Sequence, residues 1–263
     1  MAAARPRGAG LGRCRLRLSD LRGRPDDAGA RHGGRAHSHR HRRRRRDRGS
    51  VLSADGANSV DGGTDDDGFI GLRLGRFLDL VASREPTPGG GAVAAMTAAM
   101  AASLVAMAAR FASGDVVDAE QIAVRSDGHR GEVTELAERD GRAFGQVLAA
   151  LRSPRDVDPD GRRGALHAAW TEAATVPVLI AETAGRIALD AANIARDGNP
   201  NLRGDACTAG FLAAGSARAA STLAELNVRA GKLPPELLDR AAAAVRVAEQ
   251  AARAAQQAAG TTA

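Results

Sequence analysis

From Gly89 to Ala109 the chain runs through about twenty residues without a charge, most of them alanine, glycine, serine or threonine. Alanine is the best helix former and is depleted from strands, so such a run reads as helix. It is long enough to raise the question of a membrane span. Only Val93, Leu104 and Val105, however, carry the strong insertion preference of branched aliphatics. A buried central helix, with no membrane partner, is therefore the expected reading. The rest of the composition agrees. Tyrosine is absent, and Trp170 and five phenylalanines are the only aromatics among 263 residues. A core without large side chains has to come from close backbone approach, which favours helix packed on helix.

Helical patterns follow one another from Gly68 to the C-terminus. "FIGLRLGRFLDLVAS" places Leu72, Phe77, Leu78 and Val81 on one side before "EPTPGGG" stops it. The uncharged helix then runs to about Phe111. A third stretch, "DVVDAEQIAVRSDGHRGEVTELAERDGRAFGQVLAALRS", offers Ile122, Val133, Leu136, Ala143, Phe144, Val147 and Leu148 as its apolar face. A fourth is expected to bend at Pro177, which cannot donate the internal hydrogen bond. A fifth opens near Asp205. The last begins at Pro234 with Leu237, Leu238, Val245 and Val247 facing inward. No alternating strand pattern competes, so the fold class is all-α, a bundle of roughly six helices over residues 68–263.

Residues 1–67 read differently. They hold sixteen arginines and nine acidic residues, leaving a nearly neutral body with 21 basic and 22 acidic residues. This segment has few aliphatics and no helical or strand period, and it is expected to be a disordered tail. The Arg42–Arg46 run reads as a solvated tail or as an arm for nucleic acid or an anionic surface, and the first is expected. The body is not electrostatically committed to nucleic acid. Histidines 32, 37, 39 and 41 have no acid or cysteine spaced to complete a tetrahedral site, so no metal is expected. No apolar stretch of signal-peptide length follows the arginines. Cys14 and Cys207 form no motif, and a reducing cytoplasm is the expected location.

Two helix junctions and one helix interior carry polar groups that packing does not require. A helix that starts directly after "PTPGGG" exposes unpaired backbone N–H groups, and Gly89, Gly90 and Gly91 let a ligand approach them. No Lys-Ser or Lys-Thr follows, which excludes a Walker loop, and no strand precedes it, which excludes a dinucleotide fingerprint. "RDGNPNLRGDACTAG" breaks two helices with Asn199 and Asn201 and sets Asp205 where the next helix begins. These residues serve either as caps and turns or as ligands. Asn227 interrupts an apolar helical face in "LAELNVRAG", where its amide needs a partner.

Together, in this order and spacing, "EPTPGGGAVAAMTAAMAASLVAMAA", "RDGRAFGQVLAALRSP", "GNPNLRGDA" and "LNV" resemble the formiminotransferase-cyclodeaminase C-terminal domain family, from about Leu74 onward. The resemblance implies an all-helical homodimer that takes a reduced folate as substrate and acts on the one-carbon unit bridging two of its nitrogens. In the cyclohydrolase reaction, water adds to a methenyl carbon and the ring opens to 10-formyltetrahydrofolate. In the cyclodeaminase reaction, a folate nitrogen attacks a formimino carbon and ammonia leaves. A carboxylate beside the methenyl cation would stabilise it and accept a proton from water. Asp205 is the first candidate, and Asp140 in "ERDGRAF", which matches an acidic position of the family, is the second. Asn199, Asn201 and Asn227 would meet the pterin's amide edge, and the amides of Gly89–Gly91 a carbonyl or carboxylate. Arg203 or Arg229 would face the glutamate tail. Trp170 and Phe211 are expected in the core rather than stacked on the pterin.

The chain departs from the family pattern at Ala92 and Gly204, where serine is expected, and at Gly231, where asparagine is expected. Cyclohydrolase is the expected reaction, because no formiminotransferase segment precedes these motifs. The competing reading of another class is an inactive helical interaction protein tethered to acidic partners by its basic tail.

Overall fold

The computed structural model describes residues 68–112, 118–154 and 158–260, all within one compact unit, Ser59–Ala263. The expected basic tail lies outside these residues. Seven α-helices occur among the described residues, and no strand. They are α1 (Gly68–Gly71), α2 (Leu74–Val81), α3 (Gly90–Arg110), α4 (Ala119–Arg152), α5 (Pro159–Asp197), α6 (Arg203–Gly231) and α7 (Glu236–Gly260), with a short 3-10 turn at Pro200–Leu202.

Successive long helices run antiparallel, as side-chain pairs along them record. Arg110 near the end of α3 pairs with Asp127 near the start of α4. Arg125 grips Asp190 at one end of the α4–α5 pair (2.6 and 3.1 Å), and Arg139 reaches Glu172 at the other. Ser216 of α6 donates to the Ala94 carbonyl of α3 (2.7 Å). The α3 helix packs on α4, α5 and α6, while α5 also carries α7. The uncharged run is long and apolar enough to span a membrane. Here it forms the middle of the bundle, with Ala92, Ala95, Ala98, Ala101, Ala102 and Val105 fully enclosed.

Alanine supplies most of the core, and this displaces some of the larger residues expected there. In α7 the buried positions are Ala241, Ala244, Ala248, Ala251, Ala252 and Ala255. Leu237, Leu238, Val245 and Val247 are only half-buried. Helices that meet through methyl groups come close, and longer side chains are pushed to the flanks of the contact. Ile122, Val133, Leu136, Ala143 and Val147 of α4 are buried as expected, with Phe144 and Leu148 half-buried. The first pattern is broken at Arg73 into α1 and α2, and only Phe77 is buried while Leu78 is 56% exposed. The last helix starts at Glu236, just after its two prolines rather than on the first of them.

Pro177 lies inside α5, which continues through it. Its missing N–H would leave the carbonyl of Ala173, four residues earlier, without its helical donor. Asn227 of α6 fills that vacancy: its Nδ2 donates to the Ala173 oxygen at 2.6 Å. The amide that interrupts α6 and the proline that interrupts α5 therefore compensate one another across the interface.

Candidate active site

The N-terminus of α3 opens into a cavity of about 220 Å³. Its walls come from the loop before α3 (Pro86, Thr87, Gly89), the first turn of α3 (Gly90, Gly91), Asp140 and Phe144 of α4, Ala173 of α5, and Leu223 and Asn227 of α6. Five of the eight residues expected to form a site, Gly89, Gly90, Gly91, Asp140 and Asn227, thus line one hollow. They arrive from three helices and a loop.

Local chemistry explains how each is held. Gly89 caps α3 in an extended conformation and its carbonyl accepts the first helical bond, from Val93, so the amides of Gly90 and Gly91 remain outside the helical ladder. The Asp140 carboxyl lies against Gly91 so closely that a methyl group there would fall on it. Only glycine fits at this position. Asp140 also accepts a hydrogen bond from the Ala92 N–H. Burial pushes the Asp140 carboxyl up to about 6, against the lowering effect of that hydrogen bond. Desolvation wins here because few opposite charges face the group. Among the described residues that line the cavity, Asp140 is the one with an ionisable side chain.

A carboxyl that titrates near neutrality in a mostly apolar hollow can take or give a proton at working pH. Asn227, with its Nδ2 committed to Ala173, keeps Oδ1 as an acceptor. The first-turn amides are donors of the kind that hold a carbonyl or an oxyanion.

Asn199, Asn201 and Asp205 lie elsewhere. Asn199 Nδ2 donates to the Phe111 carbonyl (3.3 Å), at the opposite end of α3 from the triglycine turn. Its Oδ1 accepts from the Asn201 N–H (3.0 Å), capping the 3-10 turn. Asp205 sits half-buried in the first turn of α6. A helix of this length separates the two corners by about 30 Å, so within one chain they do not share a site. Arg203 stands at the Asn-Pro-Asn corner and Arg229 pairs with Glu225. Trp170 packs against the core beside Gly231, where any side chain would strike the Trp170 Cβ and the ring carbon attached to it. Glycine at 231 is thus matched to tryptophan at 170. Phe211 is 48% exposed and lines no part of the cavity.

Thr87 and Phe144 join the wall unforeseen. Phe144 follows Asp140 by one helical turn, and that spacing puts the two on one face.

A family model described as formiminotransferase-cyclodeaminase matches residues 73–233. The chain belongs to this family. All the residues of the cavity fall within that match. The methenyltetrahydrofolate cyclohydrolase of Methylorubrum extorquens is 32% identical over 181 residues, covering 66% of this chain and 84% of the relative. The formimidoyltransferase-cyclodeaminase of Sus scrofa is 34% identical over 140 residues, covering 50% of this chain but only 26% of that longer protein. Among solved structures, a formiminotetrahydrofolate cyclodeaminase from Thermotoga maritima superposes with a TM-score of 0.64 at 28% identity. That match covers 72% of this chain and 96% of the other.

Proposed function

We propose that this family member is a folate-dependent one-carbon enzyme that hydrolyses 5,10-methenyltetrahydrofolate to 10-formyltetrahydrofolate. The observation that carries the reading is the half-buried Asp140 carboxyl, set against the first turn of α3 in a cavity that Asn227 also lines. The methenyl bridge is a delocalised cation, and a carboxylate beside it lowers the energy of the bound state and of the transition state. Water adds to the bridging carbon and Asp140 accepts its proton. One carbon–nitrogen bond then breaks, the departing ring nitrogen takes a proton, and the formyl group stays on the other nitrogen. Asn227 and the amides of Gly90 and Gly91 orient the pterin and the developing oxygen.

The second reading is the cyclodeaminase reaction, favoured by the Thermotoga maritima likeness and by a carboxyl able to remain protonated near neutrality. There Asp140 would give a proton to the departing ammonia. The two readings require opposite protonation states. Hydrolysis should rise with pH through about 6 to a plateau, whereas a reaction needing the acid should fall over the same range.

The protein acts as a homodimer in the cytoplasm on this reading. Support for the dimer is an uncharged face where α3 and α6 run side by side, with Val93, Met100, Phe211 and Leu226 all exposed. A cytoplasmic location fits Cys207, a half-buried free thiol. The deciding experiment follows the absorbance of methenyltetrahydrofolate with the purified protein. Loss clearly faster than spontaneous hydrolysis is expected. A rate equal to the protein-free control, with no ammonia released from the formimino substrate, would overturn the assignment.

A further inference from the structure

Four consecutive residues of α4 reach out to the elements around the cavity. Glu138 accepts a hydrogen bond from the Phe69 N–H of α1. Arg139 grips Glu172 of α5 at 2.5 and 3.1 Å. Asp140 accepts from the Ala92 N–H of α3. Gly141 lies beneath both the Phe69 ring and Thr87: a methyl group there would stand 3.5 Å from the ring and 3.8 Å from the Thr87 Cβ. The first and last of these contacts belong to α1, which lies outside residues 73–233 of the family match.

A helix of four residues cannot hold itself together in water, so α1 has to be placed by what it touches. Gly68 enters it at φ +65°, a left-handed conformation that favours glycine, and a side chain there would fall on the Glu138 carboxylate. Phe69 packs against the core and meets Phe77 of α2 edge-on, with ring centroids 6.0 Å apart. Phe77 is buried, whereas Ile70, next to Phe69, is 60% exposed. Phe69 is therefore the α1 side chain that the bundle holds. Thr87, which the ring meets over Gly141, lines the same cavity as Asp140.

We propose that Phe69 is a positioning residue for Asp140: fastened to α4 through Glu138, its ring backs the Thr87 wall of the cavity and keeps water from the neighbouring carboxyl. It touches no substrate and acts only through Asp140. Burial is the main cause that raises the Asp140 carboxyl, so a ring that excludes water sustains a base that titrates near neutrality. No charged group is among the causes. Among the described residues, the cavity walls from the loop, α3, α5 and α6 carry no ionisable side chain. On α4 itself, Arg139 is paired with Glu172 of α5 and Glu138 is committed to the Phe69 N–H. This inference rests on the folate reading above and on the part it gives Asp140.

The pH profile of methenyltetrahydrofolate hydrolysis, corrected for the protein-free rate, tests it in full-length chains carrying Phe69→Ala, Phe69→Leu or Ile70→Ala. Opening the wall in Phe69→Ala should lower kcat by about tenfold with little change in KM. The inflection near pH 6 should fall by about one pH unit, toward the ordinary carboxylate range. Phe69→Leu, which keeps an apolar side chain in place, should recover most of both, and Ile70→Ala should match wild type. In an Asp140→Asn background, Phe69→Ala should lower the residual rate no further. Where Phe69→Ala melts below the assay temperature, Glu138→Ala unfastens α1 without touching the ring and should shift the profile in the same direction. An inflection that stays in place while the rate falls would mean that α1 only stabilises the fold, and would overturn the proposal. So would a wild-type rate in Phe69→Ala, or a further loss in the Asp140→Asn background. A wild-type protein inactive on both folates, or a fully active Asp140→Asn, would instead remove the folate reading or the part it gives Asp140, and this inference with it.

Discussion

The turn before α3 and the turn before α6 each open a long helix from a proline-containing, glycine-bearing stretch, but their polar groups are satisfied from different places. At the Asn-Pro-Asn turn, Asn199 closes the structure with its own side chain, capping Asn201 and tying to the Phe111 carbonyl. At the triglycine turn no side chain is available for this. The carboxyl that meets the helix start comes from α4, and a cavity opens beside it. A turn that caps itself is a joint, and a turn served by distant elements leaves room for a ligand.

The sharpest way to break this contrast is to exchange the carboxyls of the two corners. Asp140→Asn should lower kcat/KM by about 10²–10⁴-fold, the size of an acid–base contribution, and Asp205→Asn by much less. Equal losses would mean that the chemistry does not belong to the triglycine corner. The same variant carries a stability signature of opposite sign. Because the folded-state pKa of Asp140 is raised, stability is highest below the unfolded pKa and declines as pH climbs to about 6. Asp140→Asn should therefore be more stable than wild type at pH 7, by on the order of 1–3 kcal/mol in denaturant unfolding.

Next in size is the glycine that makes room for the carboxyl. Gly91→Ala should displace Asp140 and cost about tenfold or more in turnover, since small misplacements of catalytic groups are expensive. Gly204→Ala, where nothing lies within 4 Å of the added methyl, should leave activity unchanged and stabilise α6 by about 0.5 kcal/mol. Thermal melts and steady-state rates on the pair would show whether glycine matters at one corner alone.

Smaller again is the cross-helix repair beneath the cavity. Asn227→Ala should destabilise the bundle by about 1–3 kcal/mol, because the Ala173 carbonyl loses its donor. In a Pro177→Ala background the backbone N–H returns, and the same substitution should cost visibly less. Additive losses in that double-mutant cycle would sever the link between the two residues.

The helices could be read from composition and period, and so could the triglycine start, because alanine propensity and an uncharged run leave few alternatives. Asp140 was legible only as a match to a family pattern, and Phe144 was within reach one turn later. That Asn199, Asn201 and Asp205 lie far from Asp140 was not legible. A sequence marks where helices break, but which breaks meet depends on the antiparallel course of α3 and α6 and on the length of α3. The partnership of Asn227 with Ala173 was likewise hidden, although Pro177 announces that some carbonyl four residues earlier needs a donor. The core was misjudged in α7 because branched side chains were favoured over alanine, when close helix contact ranks them the other way.

A bundle held by methyl groups has almost no rotamers to freeze on folding and almost none to release on loosening. A swollen, liquid-like intermediate gains its entropy chiefly from side chains that begin to hop while helices persist. Here that reward is nearly absent. Tertiary contacts and helical structure are therefore expected to dissolve together on heating.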